Sequence, residues 1–159
     1  MNNILTIIDS FADKPFSGNP AAVCHLFSDK STNWMQDLAS EINLSETAFL
    51  YKRKNNEWNL RWFTPNAEVK LCGHATLASA HYLWSKNLVD SNIKINFYTK
   101  SGKLVCSKNN HYIYMNFPLI KTYSIIEPVG FASALGAKPS FCSKTPWDII
   151  AVYDKFDDV

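Results

Sequence analysis

The sequence has no long hydrophobic run and no recognisable export signal. Its first residues, MNNILTIIDSF, carry neither the basic start nor the extended apolar core of a secretory signal. No window approaches the roughly 20 apolar residues that a membrane-spanning helix needs. These absences exclude the membrane-spanning class, and we expect a cytoplasmic protein without a membrane partner.

The sequence also has no large excess of basic or of acidic residues. The chain has 16 Lys and Arg residues against 14 Asp and Glu, a formal net charge of +2. The densest basic patch, YKRKNN at residues 51–56, is short and is typical of a solvated hairpin tip. A nucleic-acid partner is therefore not expected, because such partners require a strongly basic surface.

The four cysteines are scattered, and no two of them form a Cys-x-x-Cys pair. This spacing excludes zinc ribbons and dithiol redox motifs, and we expect no metal site. Without an export signal, all four are expected to be free thiols in a reducing compartment. Cys24, Cys106 and Cys142 are interpreted as small buried hydrophobic residues, whereas Cys72 stands beside other reactive side chains.

What the sequence does contain is apolar material, 47% of its residues, in strand and helix patterns. Helices are predicted over residues 31–42, with a Ser31 or Thr32 cap, and from Gly73 to about Lys86. Strands are predicted over residues 4–11, 21–27, 47–53, 58–64, 93–99, 103–108, 112–117 and 147–153. This mixture predicts an α+β fold.

The density of predicted elements falls after residue 120. Residues 1–120 hold most of them and form the predicted N-terminal domain, whereas residues 121–159 hold one short helix ending at Gly136 and one strand. So few elements bury too little surface for an independent core. Residues 121–159 are therefore expected either to pack on the first domain or to begin a second domain that is truncated.

The run Cys72-Gly73-His74 stands at the start of the second predicted helix. A helix start exposes unpaired N–H groups and partial positive charge, which can hold a carboxylate. Gly73 would let a ligand approach the backbone, His74 could donate or accept a proton beside it, and the helix dipole would favour the thiolate of Cys72. Capping and packing alone also produce such runs, so both interpretations stay open.

Glu46, in NLSETAFL at residues 43–50, is the second candidate. It precedes an apolar strand, where a carboxylate in a partly apolar cleft could act as a general acid or base. An exposed glutamate at a strand end is the alternative interpretation. His81 lies about 10 Å along the helix from His74, too far to share a metal ion, and is interpreted as structural or superficial.

Three stretches carry a family resemblance. They read IDSFADKPFSGNPAAV at residues 8–23, SETAF at 45–49 and FTPNAEVKLCGHATLA at 63–78. Together, in this order, they resemble the phenazine biosynthesis PhzF-like proteins, and three ordered matches are far more specific than any one alone. A weaker likeness continues through WDIIAVYD at 147–154, so the resemblance covers nearly the whole chain.

The resemblance implies a fold like that of diaminopimelate epimerase, with two similar halves. Each half is a curved, mostly antiparallel sheet around a central helix, which here would begin at Gly73. The implied reaction is an isomerisation by proton transfer on a small carboxylate-bearing substrate, without a metal or an organic cofactor. Glu46 would shuttle the proton, while Gly73, His74, Cys72 and Asn19 would line the substrate site.

Cys72 keeps a thiol-based reaction open as the nearest chemical rival. The thiol-dependent epimerases of the same fold have a catalytic cysteine at this position, and their second thiol comes from the second half. No partner cysteine is evident in this sequence, so the resemblance favours Cys72 as a residue that lines the site.

The sequence departs from the family in its second half. Members supply there another acidic residue and a Thr-Gly-Ser-Ala-type helix start that faces the first one, and no such helix start appears before Val159. Three functions are therefore expected alternatives. They are an isomerase or its N-terminal half, a non-catalytic small-carboxylate-binding remnant, and a homodimer in which each copy supplies one wall of the site.

Overall fold

The computed structural model describes residues 3–110 and 112–158. Contacts divide the chain into two compact units, Met1–Phe117 and Pro118–Val159, which are called the first and second units below. Among the described residues, no helix combines the length and the apolar character needed to cross a membrane. The helices and strands confirm the predicted α+β class.

The first unit is built on one eight-stranded sheet. Its strands are β1 (Ile4–Ser10), β2 (Asn19–Leu26), β3 (Thr47–Lys54), β4 (Glu57–Phe63), β5 (Glu68–Val69), β6 (Ile95–Thr99), β7 (Gly102–Asn109) and β8 (Tyr112–Asn116). The order is β1-β2-β3-β4-β6-β7-β8, and β5 pairs with β4. The predicted strands occur to within two residues at each end, whereas β5 was not predicted.

The sheet is mostly antiparallel because short turns join most neighbouring strands. Two pairs, β2–β3 and β4–β6, are parallel. Each of these pairs is joined by a connection that contains a helix, as parallel strands require. Asn55, with φ of 44°, turns the chain between β3 and β4, which agrees with the predicted hairpin.

The first helix, α1 (Thr32–Ile42), has defined ends. The Ser31 hydroxyl accepts a hydrogen bond from the Trp34 N–H at 3.2 Å, and Asn43 ends the helix in a left-handed conformation. Its apolar face packs against β3 and β4. This contact forms a hydrophobic cluster that consists of Cys24, Leu26, Met35, Ala39, Phe49 and Phe63.

The second helix, α2 (Gly73–Ser85), contacts β1, β2, β3 and β8. Because β1 and β8 are the two ends of the strand order and both contact the helix, the sheet is curled. The helix is therefore covered on most of its surface, and small side chains allow the strands to approach it. Its buried residues are Ala75, Thr76, Ala78, Ser79, Ala80, Tyr82, Leu83 and Trp84.

The second unit contains a three-stranded antiparallel sheet of order β11-β10-β9. Its elements are β9 (Tyr123–Ser124), α3 (Phe131–Leu135), β10 (Phe141–Lys144), β11 (Ile149–Val152) and a short 3-10 helix (Phe156–Asp158). The helix ending at Gly136 and the last strand were predicted, and β9 and β10 were not. All four cysteines of the chain are free and buried, as expected for Cys24, Cys106 and Cys142.

Candidate active site

The start of α2 is open to a ligand. Cys72 is the N-cap residue in an extended conformation, but its side chain makes no capping hydrogen bond. The first backbone hydrogen bond of the helix is donated by the Thr76 N–H to the Cys72 carbonyl oxygen, at 3.4 Å. Gly73 is exposed, and a Cβ atom built on it would meet nothing within 4 Å. The helix start therefore presents backbone N–H groups next to empty space.

Glu46 is brought to this helix start by the parallel pairing of β2 and β3. Its carbonyl oxygen accepts a hydrogen bond from the Ala22 N–H at 3.3 Å, which fixes the chain one residue before β3. Its Oε2 lies 3.4 Å from His74 Nε2, with 20% of the Glu46 side chain and 11% of the His74 side chain exposed. The two residues, 28 positions apart in sequence, form one partly buried acid–imidazole pair.

Two serines that were not predicted as site residues support His74. The Ser45 hydroxyl lies 3.3 Å from His74 Nε2, and the buried Ser10 hydroxyl donates to the His74 carbonyl oxygen at 2.7 Å. Ser45 precedes Glu46 in the SETAF stretch, so its position was visible in the sequence. The Ser10 contact joins residues 64 positions apart, and no local pattern could have indicated it.

Cys72 contacts the other ring nitrogen of His74. Its Sγ lies 3.5 Å from His74 Nδ1, and the residue is 7% exposed. Burial raises the pKa of the Cys72 thiol to about 11, against the lowering effect of the Ala75 and His74 N–H groups. The N–H groups of the helix start favour the thiolate, as predicted, but the loss of solvation outweighs them, so the pKa is raised overall.

The ligand atoms of Glu46, Cys72 and His74 lie within 4.8 Å of one another. They offer one carboxylate oxygen, one thiol sulfur and one imidazole nitrogen. Burial raises the pKa of the Cys72 thiol to about 11, and because metal ions bind the thiolate rather than the thiol, this burial opposes metal ligation.

Asn19, the remaining predicted site residue, lies at the exposed beginning of β2, where it pairs in register with Ser10. The structure thus places it near the residue that holds His74, without a described side-chain bond to Glu46 or His74. Gly18, directly before it, is crowded, since a Cβ atom there would lie 2.6 Å from the Ser10 carbonyl oxygen. Only glycine lets this turn close beside the site.

Two concavities of the first unit lie away from the acid–imidazole pair. One of about 340 Å³ lies beside α1 and is rimmed by Arg53, Arg61 and Lys100. The other, of about 470 Å³, lies between β1, α2 and β8. Neither is lined by Glu46 or His74, so the chemistry of the pair, rather than the volume of a cavity, marks the candidate site.

Comparison with known proteins gives a match over most of the chain. The family model described as phenazine biosynthesis-like protein, PhzC-PhzF, matches residues 8–150. A protein of Halalkalibacterium halodurans named an uncharacterized isomerase is 43% identical over 155 residues, which cover 97% of this chain and 58% of that protein.

Solved structures agree in fold. A crystal structure of a PhzF family phenazine biosynthesis protein from Enterococcus faecalis is 39% identical, with a TM-score of 0.85, and the match covers 98% of this chain and 58% of that one. A Pseudomonas aeruginosa structure described as a predicted epimerase is 21% identical, with a TM-score of 0.68 over 87% of this chain and 55% of that one; this likeness concerns the fold alone. The chain spans less than three fifths of the length of these proteins.

Proposed function

The chain belongs to the phenazine biosynthesis-like family, and we propose that it carries one wall of an isomerase site. In this proposal, the site moves a proton on a small carboxylate-bearing substrate without using a metal or an organic cofactor. The observation that carries the proposal is the approach of Glu46 Oε2 to His74 Nε2, 3.4 Å, beside the open start of α2.

The substrate carboxylate would bind at the start of α2. The free N–H groups and the partial positive charge there favour an anion. Gly73 supports this role because it leaves the space in front of the helix empty. Asn19, at the neighbouring end of β2, is proposed to contact the same ligand.

Glu46 would then act as the base. Its carboxylate removes a proton from a carbon atom of the substrate, and the electron pair of the broken C–H bond spreads through the conjugated system onto the substrate carboxylate. The helix start stabilises that developing charge. Glu46 then delivers a proton to a second carbon atom on the same face. Because 20% of the Glu46 side chain is exposed, the proton that it carries exchanges with water, and in D₂O deuterium enters the product. The substrate and product are isomers, so no oxidant is needed.

His74 would hold Glu46 in place and share its proton. An imidazole N–H donated to the carboxylate orients it toward the substrate. Cys72 is proposed as a residue that lines the site, because its buried thiol with a pKa of about 11 is a poor base at neutral pH.

Binding of a carboxylate without turnover is the alternative function. The cluster holds a single carboxylate, and Gly73 is exposed to solvent. Water in an open site weakens the electrostatic stabilisation on which the proton transfer depends. Turnover is therefore proposed to need a second wall, supplied by the part of the family length that this chain does not span or by a second copy.

Deuterium exchange separates these functions. A cyclohexadiene carboxylate is incubated with the protein in D₂O, and deuterium uptake is followed by NMR, for the wild type and for Glu46→Gln. Uptake that disappears in Glu46→Gln supports the isomerase. Binding without uptake in both proteins supports the alternative, and neither binding nor uptake would refute both.

The homodimer is tested by solution mass. If two copies share the site, the wild type sediments as a dimer at micromolar concentration, and deuterium uptake rises with the square of the protein concentration in the dissociating range. A monomer at micromolar concentration that still exchanges deuterium would rule out the shared site.

A further inference from the structure

We propose that the concavity beside α1 is a second ligand site, which binds a small oxyanion carried on a flat apolar group. Its volume, about 340 Å³, is within the range of small-molecule sites. It lies wholly in the first unit, on the face of the sheet that α1 covers. The proposal does not depend on the function proposed for Glu46 and His74, since neither residue lines this concavity.

The floor of the concavity is apolar and partly aromatic. Leu26, Met35 and Phe49 line it. Each of them is at most 3% exposed, and all three belong to the hydrophobic cluster that α1 forms with the sheet. The partly buried Tyr51 also lines the concavity and packs against the same cluster. A flat apolar group that covers this floor would remove apolar surface from water, which favours binding.

Arg53 supplies an oriented positive charge at the rim. Its Nη1 donates to Asn59 Oδ1 at 2.9 Å, and its guanidinium carbon lies 4.6 Å from the centroid of the Tyr98 ring, which is a cation–π distance. The Tyr98 hydroxyl in turn donates to Glu57 Oε1 at 3.1 Å, and this bond holds the ring. The guanidinium is therefore positioned before a ligand arrives, and Asn59 uses only one of its five N–H donors.

The other two cations of the rim have acidic partners. Arg61 and Lys100 share the Glu68 carboxylate. The hydrogen bonds to Glu68, followed by the charges of Glu68 and Asp29, raise the pKa of Arg61 against the effect of burial. Among the residues that the structure describes, Arg53 forms no ion pair with a carboxylate. An oxyanion would balance its charge and could accept two hydrogen bonds from the guanidinium.

The direction of its side chain distinguishes Arg53 from its basic neighbours. Lys52 lies on the other face of the sheet, where its Nζ is 5.8 Å from the ring centroid of Trp58, a residue of the core around α2. Lys54 does not line the concavity. Purely solvated charges at a hairpin tip would not place one guanidinium on an aromatic ring beside an apolar floor. Lys54 is therefore the matched control for the charge of Arg53.

NMR titration of the 159-residue chain with phenyl phosphate tests the proposal, in about 0.15 M salt so that distant charges are screened. We expect saturable shifts at the Arg53 side chain and at the amides of Tyr51 and Tyr98. Inorganic phosphate should bind at least about tenfold more weakly, because it has no ring to bury. Benzoate, compared with phenyl phosphate, shows whether the site prefers a carboxylate or a phosphate.

Three variants separate the oriented guanidinium from charge alone, and all three replace exposed residues, so the fold should persist. Arg53→Gln should lower the affinity for phenyl phosphate at least about tenfold, because it loses a charge-assisted bidentate contact. Arg53→Lys keeps the charge without the planar fork and should lose part of the affinity. Lys54→Gln removes the same charge from the next residue and should change the affinity less than about twofold.

Three results would overturn the proposal. They are the absence of a saturable shift around Arg53, equal losses of affinity in Arg53→Gln and Lys54→Gln, and equal affinities for phenyl phosphate and inorganic phosphate. Shifts confined to Gly73 and His74 would be a case of the first result, because they would place the anion at the start of α2 alone.

Discussion

A histidine lies at each end of α2 in opposite surroundings, His74 in the helix itself and His25 in the neighbouring strand β2. At the first turn, His74 is partly exposed and contacts a carboxylate, a thiol and a hydroxyl. Near the last turn, His25 is 5% exposed, and its Nδ1 lies 3.4 Å from the Tyr82 hydroxyl. The rings of Phe27, Trp58 and Tyr82 surround it, with centroids 4.5, 5.3 and 5.9 Å away.

This difference separates a chemical role at one end of α2 from a structural role at the other. His25 has an aromatic enclosure and no carboxylate partner among the described residues, so its contacts stabilise the fold. His74 has polar partners on both ring nitrogens and empty space beside the neighbouring Gly73. Substitutions at the enclosed end should therefore reduce stability, and substitutions at the open end should reduce binding or catalysis.

The largest expected effect is on stability, at the enclosed end. Trp58 is fully buried, and Trp58→Ala leaves a cavity beside His25. We expect a loss of about 3–5 kcal/mol in the free energy of unfolding, measured by denaturant titration. Glu46→Gln, at the open end, should change the same quantity by less than about 1 kcal/mol. Similar losses for both variants would remove the distinction between the two ends.

Next in size is the turn beside the open end. In Gly18→Ala the new Cβ would meet the Ser10 carbonyl oxygen at 2.6 Å and the Asp9 Cβ at 2.8 Å. Because backbone atoms cannot move aside cheaply, we expect a loss of about 1–3 kcal/mol in the free energy of unfolding. If Gly18→Ala had the same melting temperature as the wild type, the turn would have more room than the structure indicates.

Gly73→Ala is the matched substitution at the helix start. The Cβ meets nothing within 4 Å, and alanine has a higher helix propensity than glycine, so stability should stay within about 1 kcal/mol of the wild type. The added methyl group occupies the space proposed for the ligand. We expect benzoate affinity to fall at least about tenfold, a loss of roughly 1.4 kcal/mol, measured by NMR titration. Unchanged affinity would place the ligand elsewhere.

The smallest effect is the pH dependence of stability. Burial, followed by the charge of Lys52, lowers the pKa of His25 below its ordinary value of 6.5. The unfolded chain therefore binds a proton on His25 before the folded chain does, and stability is lost as the pH falls below about 6.5. One proton limits the slope to about 1.4 kcal/mol per pH unit.

The contribution of His25 is isolated by difference. Stability is measured from pH 8 to pH 5 for the wild type and for His25→Gln, which does not titrate. The wild-type curve should fall more steeply below pH 6.5 than that of the variant. Parallel curves would show that burial among the aromatic rings does not lower the pKa of His25 in the folded chain.

The sequence allowed most elements of the first unit to be predicted, because their signals are local. Alternating apolar residues indicated the strands, and Ser31 marked the start of α1. The order of the strands could not be predicted from local patterns. The parallel β2–β3 and β4–β6 pairs join segments that a helix separates in sequence. The two-residue strands β5 and β9 are too short to leave a pattern.

The candidate site was predictable in its members but not in its contacts. Glu46 and the Cys72-Gly73-His74 run were named from motif and family resemblance, and the structure brings Glu46, Cys72 and His74 together. The effect of the helix start on Cys72 was predicted from the sequence, whereas the burial that outweighs it and raises the pKa of the thiol was not. Ser10 was missed because its bond to His74 depends on the whole sheet.

The most direct test of the account is the response of the two ends of α2 to benzoate. Amide and imidazole shifts of the 159-residue chain are followed by NMR as benzoate is added. The account predicts saturable shifts at Gly73 and His74, with none at His25 or Tyr82. Shifts centred on His25, or no saturable shift at Gly73, would contradict the claim that the start of α2 is the ligand site.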